Sequence, residues 1–295
     1  MVEAKKPNDI GMKRGRVLTN LSQPGQLDII GEGLPVLMKS AGDLLAAAQS
    51  LNEHHRAAAI LEGQAMEEVG KILILVDIVR CPPKLRPSRI GKLMTWFYDH
   101  LARLIYVDAQ GWKPINFNQL QEYVDDRRRS HYLEGAVGEY IMPNWEILLR
   151  ESTLYADIVT TEDGKPYWNE PADWAIPYQN LDPLAWRICT ALRNMGAFTR
   201  EGLDIMSSVW SQVDFASDQH WRDSAMLTEK MLKSLQKVGL VTEAAKQEQL
   251  GDLYNNWQLP MYRINFKRII VPLADLKDER DANYRSELGY YDDRD

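Results

Sequence analysis

Between Ala65 and Leu75 an otherwise apolar stretch carries two adjacent carboxylates, Glu67 and Glu68, and a lysine, Lys71, one turn on. The three- and four-residue spacing of the flanking apolar positions is helical and resolves into two neighbouring seams. One holds Ala58, Leu61, Ala65, Glu68, Ile72, Leu75 and Val79; the other holds Ile60, Gln64, Glu67, Lys71, Ile74 and Ile78. The pattern marks Glu68 as inward-facing, with Gln64, Glu67 and Lys71 as a polar row beside it. A carboxylate buried without a partner is costly, and Lys71 reaches Glu67 at i,i+4 for only ~0.2 to 0.5 kcal/mol. Glu68 therefore needs a partner from another helix. His100 can supply it, because it lies on the apolar stripe Ile90, Leu93, Phe97 and Leu104, with Arg103 at the edge of the same face. Glu67, Glu68, Lys71, His100 and Arg103 together hold what acid–base work on an anionic substrate requires: an imidazole to move a proton, cations to hold charge, and carboxylates to orient both. The same five groups would also serve as an internal ion-pair network that fixes how two helices pair.

Other chemistries lack their spacing. A di-metal carboxylate bundle needs Glu-x-x-His on two helices. Here His54 and His55 follow Glu53 directly, and neither His131 nor His220 has a glutamate three residues before it. Neither a metal nor another cofactor is expected. Serine-hydrolase elbows, P-loops and dinucleotide fingerprints are absent as well.

The elements that must position the cluster follow from periodicity and breakers. Leu37, Met38, Ala41, Leu44, Leu45, Ala48 and Leu51 predict a first helix from Leu34. Asn52 suits the cap of a second helix that runs to Val79 or Arg80 and is stopped by Cys81-Pro82-Pro83. A third helix is expected from Ser88 to about Val107. A short connector predicts that helices two and three form an antiparallel hairpin, which brings His100 and Arg103 level with Glu67 and Glu68. Helical character continues over 118–133, and the turn-rich stretch from Thr160 to Pro171 reads as a long loop. Helical periods return after Leu181, over 220–238 and over 243–257, and Arg268 to Val271 is a short β-like run. The organisation expected is a flexible arm over 1–30, a helical core over 31–175, additional helices over 176–272 in the same domain or a small second one, and a disordered acidic tail over 273–295. The fold class is all-α.

With 295 residues, 45% of them hydrophobic and 26% charged, the chain can build a sizeable core without staples. The net charge of −7 (35 − 42) argues against a non-specific nucleic-acid binder. Locally the balance differs: Arg80, Lys84, Arg86, Arg89, Lys92 and Arg103 face only Asp99 over that span, which suits either local anion binding or a solvated basic surface. Cys81 and Cys189 are too far apart to suggest a disulfide framework or cysteine metal site. No signal-peptide core is visible at the N-terminus, and the longest apolar run, Ile72 to Val79, is interrupted by Asp77. A cytoplasmic protein without a membrane partner is expected.

The order of these motifs resembles a known family. The run from Arg56 through Glu67-Glu68-Val-Gly70-Lys71, then Phe97-Tyr-Asp-His100-Leu-Ala-Arg103, then Leu149-Arg150-Glu-Ser-Thr-Leu-Tyr155-Ala-Asp157 is similar to the AbiV family of bacterial abortive-infection proteins, which belongs to the HEPN superfamily of helical domains. The resemblance spans roughly 34–175, and Trp168 and Pro171 suit the loop that follows the last motif. It implies a HEPN-like helical bundle with additional C-terminal helices, antiphage defence, homodimerisation, and action on RNA or the translation machinery, with a phage protein as trigger. Arg150, Tyr155 and Asp157 are the binding positions it suggests, the last two as loop anchors. Two departures matter. Arg103 stands where the family tends to have lysine, and a planar guanidinium favours bidentate contact with an anion. Many HEPN ribonucleases place an arginine five to seven residues ahead of a catalytic histidine, and no histidine here has one. RNA cleavage would then rest on His100 as general base or acid, Lys71 and Arg103 as charge stabilisers, and Glu67 and Glu68 as orienting groups. The alternative is a non-catalytic interaction protein that senses a phage product and blocks a host process.

Overall fold

The computed structural model describes residues 13–51, 53–134, 140–160, 165–171 and 182–292. At its centre is α2 (His55–Arg80), whose residues from Ile72 to Arg80 are all buried. A helix apolar on every side must be surrounded by others. The first of these is α1 (Gln23–Gln49), which buries Leu27, Ile30, Leu34, Met38, Ala41, Leu45 and Ala48. It begins eleven residues before Leu34, with the Ser22 hydroxyl accepting from the Gly25 N–H and Pro24 in the first turn, where the missing N–H costs nothing. Before it, Gly15–Asn20 form a 3-10 helix that buries Leu18. The expectation of a loose arm is corrected over 15–30: Leu18, Leu27 and Ile30 belong to the core, and residues 1–12 lie outside those described. Asn52, the expected cap of helix two, also lies outside them; the residue at the cap position is His54.

The predicted third helix is two. α3 (Arg86–Trp96) and α4 (His100–Asp108) are separated by Phe97–Asp99, where Asp99 is extended and its carboxylate accepts from the Ala102 N–H at 2.9 Å. A capping aspartate starts a new helix and lets the chain change direction. α3 alone makes the return stroke. Glu67 then meets His100, Gly70 meets Arg103 and Asp77 meets Tyr106, so α4 runs parallel to α2, not antiparallel as expected.

α5 (Phe117–Arg127) ends short of Leu133, because His131–Glu134 (β1) pairs antiparallel with Tyr140–Pro143 (β2), Leu133 opposite Ile141. α6 (Trp145–Leu154) follows at once, capped by Asn144. The stretch read as a loop, Thr160 to Pro171, holds one strand of a second hairpin, β3 (Asp157–Thr160) with β4 (Pro166–Asn169), in which Ile158 pairs with Trp168. α7 (Leu184–Asn194), α8 (Arg200–Trp210), α9 (Trp221–Lys237) and α10 (Gln247–Asn256) pack on the same core, one continuous cluster that extends from Leu18 to Phe266. After α10 a strap buries Trp257, Leu259, Met261, Tyr262, Ile264 and Phe266. The β-like run beyond it makes one parallel bridge, Ile269 with Arg129. Where a disordered tail was expected there is a helix, α11 (Leu273–Asp292), with Leu276 buried and Glu279 paired to Arg129 at 2.7 Å. The protein is thus all-α apart from small hairpins. No helix among the described residues is long and apolar enough to cross a membrane.

Candidate functional site

Three helices converge on one carboxylate. Glu67, whose side chain is 2% exposed, points from α2 into the cleft between α4 and α6. One oxygen, Oε2, lies 2.7 Å from His100 Nδ1 and 2.9 Å from an Nη of Arg103; the other, Oε1, accepts from Arg150 Nε at 2.7 Å. Burial alone would raise the Glu67 pKa, but the Arg150 hydrogen bond, the Arg103 charge and His100 outweigh it, and the carboxyl is held below its ordinary value. The ionised carboxylate is thus the resident state at neutral pH.

Each partner is placed by local rules. His100 is the first residue of α4, delivered by the Asp99 cap, and 48% of its side chain remains exposed. Arg103 sits one turn further in, 8% exposed, with Nε donating to the Asp99 carbonyl at 3.2 Å. Gly70 permits this approach: a Cβ there would lie 2.6 Å from the Arg103 carbonyl oxygen and 2.9 Å from Arg103 Cβ. Arg150 comes from α6, whose two ends are both fastened. The Asn144 side chain caps its start while donating to the carbonyls of Arg127 and Arg129, and Arg56 of α2 donates to the carbonyls of Thr153 and Leu154 at its end. α6 therefore lies antiparallel to α2, with Arg150 level with Glu67.

The seam reading has to be corrected at one position. Glu67, not Glu68, is the inward carboxylate. Glu68 stays at the rim, one fifth exposed, and pairs with Lys71 at 2.5 Å, an i,i+3 contact in place of the expected i,i+4 pair with Glu67. The cause is the site of closest approach: Gly70 lets α4 in on the seam that carries Glu67. Lys71 is equally one fifth exposed, with Nζ 5.8 Å from the centroid of the Phe97 ring. All five residues of the expected cluster are thus gathered on one face of α2, and Arg150 joins them as a direct ligand of Glu67. Tyr155 and Asp157 do not join; both are exposed, beyond the C-terminal end of α6, and the Asp157 carboxylate accepts from the Ile158 N–H.

The geometry defines what His100 can do. With the Glu67 carboxylate at Nδ1, the hydrogen bond is satisfied when that nitrogen carries the proton, which leaves Nε2 with a free lone pair on a half-exposed ring. Arg103 Nη2, 3.0 Å from Nδ1, then donates to the Tyr98 carbonyl at 3.4 Å, while Nη1 meets Glu67. A carboxylate-oriented imidazole beside cations is competent to take a proton from a hydroxyl next to an anionic group.

Two further polar networks went unread in the sequence. Asp77, wholly buried, accepts from Arg80, from the Tyr106 hydroxyl and from the Met261 N–H at 2.7 Å, while the Arg80 guanidinium lies between Trp210 and Trp257. It fastens the C-terminal strap to α2; its only signal was a charge interrupting an apolar run. At the other end of the α4–α6 pair, Arg127 joins Asp108 at 3.5 Å and Glu146 at 3.2 Å, and Tyr123 donates to Asp108. Burial, together with the Asp108 charge and against the pull of Arg127, raises the Glu146 pKa to about 7. Comparison with protein-family models, with characterised proteins and with solved structures finds no match.

Proposed function

We propose that the chain is a bacterial abortive-infection effector of the AbiV type that cleaves RNA without a metal, with His100 as the general base. The observation that carries this reading is the half-exposed imidazole held through Nδ1 by a buried, ionised Glu67. Nε2 of His100 takes the proton of a ribose 2′-hydroxyl, the 2′-oxygen attacks the adjacent phosphorus, and the bond to the 5′-oxygen breaks. The leaving oxygen takes a proton from water, giving a 2′,3′-cyclic phosphate and a 5′-hydroxyl. Arg103, with 8% exposure and its donors engaged, serves to hold Glu67 and His100. Arg150 does the same from α6. Lys71, at the rim, is the cation able to meet the phosphorane charge, tempered by Glu68. A phage product as trigger, a cytoplasmic location and a homodimer complete the proposal by resemblance.

A non-catalytic reading has one observation in its favour: Arg103, Arg150 and His100 are all satisfied by Glu67, which is what a clamp between α2, α4 and α6 would look like. RNA from phage-infected cells that express wild type or His100→Ala at matched folded levels separates the two. New discrete 5′-hydroxyl ends present only with wild type support the nuclease; protection by His100→Ala equal to wild type with intact RNA supports the clamp.

A further inference from the structure

The basic run of the sequence divides in two. Arg80, Arg86 and Arg103 are spent inside the protein on Asp77, on Val79 and Cys81 carbonyls with the Ser207 hydroxyl, and on Glu67. Arg89 and Lys92 are left one turn apart on the outer side of α3. A turn further, Thr95 accepts from Arg16 at 3.0 Å, which adds a third cation to the row. A second row flanks it. Arg128, at the end of α5, donates to the Lys267 carbonyl at 2.7 Å, and the neighbouring Lys267 and Arg268 are both exposed. Trp96 packs edge-on against Phe266, 6.0 Å between centroids, and so joins the α3 row to this strap, with Lys92 Nζ 5.8 Å from the Trp96 ring.

Charge balance on this face is unlike that of the whole chain. Among the described residues, Asp125, at 2.7 Å from Arg128, is the one carboxylate that forms an ion pair with any of the six. The charged neighbours that act on Lys92 are Arg89 and Arg128, both cationic. Arg89 Nε is buried without a hydrogen-bond acceptor. A protein of net charge −7 that gathers six cations around one counter-ion carries a local field that attracts a polyanion. Spaced point charges along the outer side of a helix suit a chain of phosphates better than one small anion. α3 leads in the chain to the turn Phe97–Asp99 that precedes His100.

We infer that the face formed by Arg16, Arg89, Lys92, Arg128, Lys267 and Arg268 binds the phosphodiester backbone of single-stranded RNA. This rests on the RNA reading of the His100 site and deepens it. The test is binding of a short fluorescent single-stranded RNA across a salt series. It uses the full-length chain with His100→Ala to prevent cleavage, against the same protein carrying Lys92→Glu, Lys267→Glu and Arg268→Glu. All three added substitutions are on exposed side chains, and an unchanged circular dichroism spectrum verifies the fold. The charge-reversed protein should bind at least about tenfold more weakly, with the slope of log affinity against log salt reduced by about 2, from about 0.7 per lost phosphate contact. Equal affinity and slope overturn the assignment of this face. Parent binding to anionic phospholipid vesicles in preference to RNA overturns it too, in favour of a lipid surface. RNA bound through the face by a protein whose wild type leaves RNA intact upholds the face and removes the nuclease. RNA cleaved by His100, with affinity indifferent to the reversals, does the opposite.

Discussion

Replacing Gly70 by alanine measures the contact that brings α4 to Glu67. In an open helical position glycine to alanine is worth about 1 kcal/mol in favour of the variant. At Gly70 the new methyl would lie 2.6 Å from the Arg103 carbonyl oxygen, where ordinary contact begins at 3.4 Å, so about 0.8 Å must be found by moving one helix against the other. Backbone yields less readily than the end of a side chain, and overpacking of this kind costs about 1–3 kcal/mol. Gly63, two turns earlier on the same helix, has nothing within 4 Å of its Cβ position and isolates the propensity term. Gly63→Ala should therefore raise stability by up to about 1 kcal/mol, while Gly70→Ala falls below Gly63→Ala by about 1–3 kcal/mol. Urea unfolding at constant m-value reads both. RNA cleavage should suffer only in Gly70→Ala, since a wider α2–α4 gap lengthens the Glu67–His100 bond. Two variants that agree within a few tenths of a kcal/mol would refute the close approach and the positioning drawn from it.

Other substitutions separate the roles within the site. Glu67→Ala strands Arg103, 8% exposed, beside Arg150, and should cost about 3–5 kcal/mol in chemical denaturation; a loss under 1 kcal/mol would show that the arginines find other partners. His100→Ala should lose no more than about 1 kcal/mol, because the ring is half exposed and Glu67 keeps both guanidinium partners. Glu146 gives a pH signature. Its folded pKa of about 7 stands above the ordinary 4.5, so its protonated form is favoured by folding and stability falls as pH rises through that window. The stability of Glu146→Gln relative to wild type should accordingly rise by as much as about 3 kcal/mol between pH 4.5 and pH 8, from the 2.5-unit difference; a pH-independent difference would contradict it.

Much of this was legible where a single local rule decides. The double proline after Cys81 ends α2, and the polar cluster on its apolar seams is real. Failures arose where two signals compete. Apolar spacing continues through Phe97 to Leu104, and only Asp99, read as a cap, reveals that the helix restarts there; missing it inverted the direction of α4. Once α4 is parallel, the inward carboxylate becomes Glu67. Arg150 was flagged only through the family-like motif, since nothing local in α6 says that its guanidinium meets α2 across eighty residues. At the N-terminus, the arm expected over 1–30 includes Pro24, which lies in the first turn of α1, and Gly25, whose N–H donates to the Ser22 cap. The basic run was ambiguous because charge type does not say which arginines have a buried acceptor.

Cleavage chemistry by purified protein tests the central claim most directly. Wild type and His100→Ala, recovered folded from phage-infected cells, would be incubated with RNA in the presence of a chelator, and the new ends identified. Wild type should leave 5′-hydroxyl and 2′,3′-cyclic phosphate ends, and His100→Ala should leave the RNA intact. Equal cleavage by both proteins, or none by wild type, would contradict it.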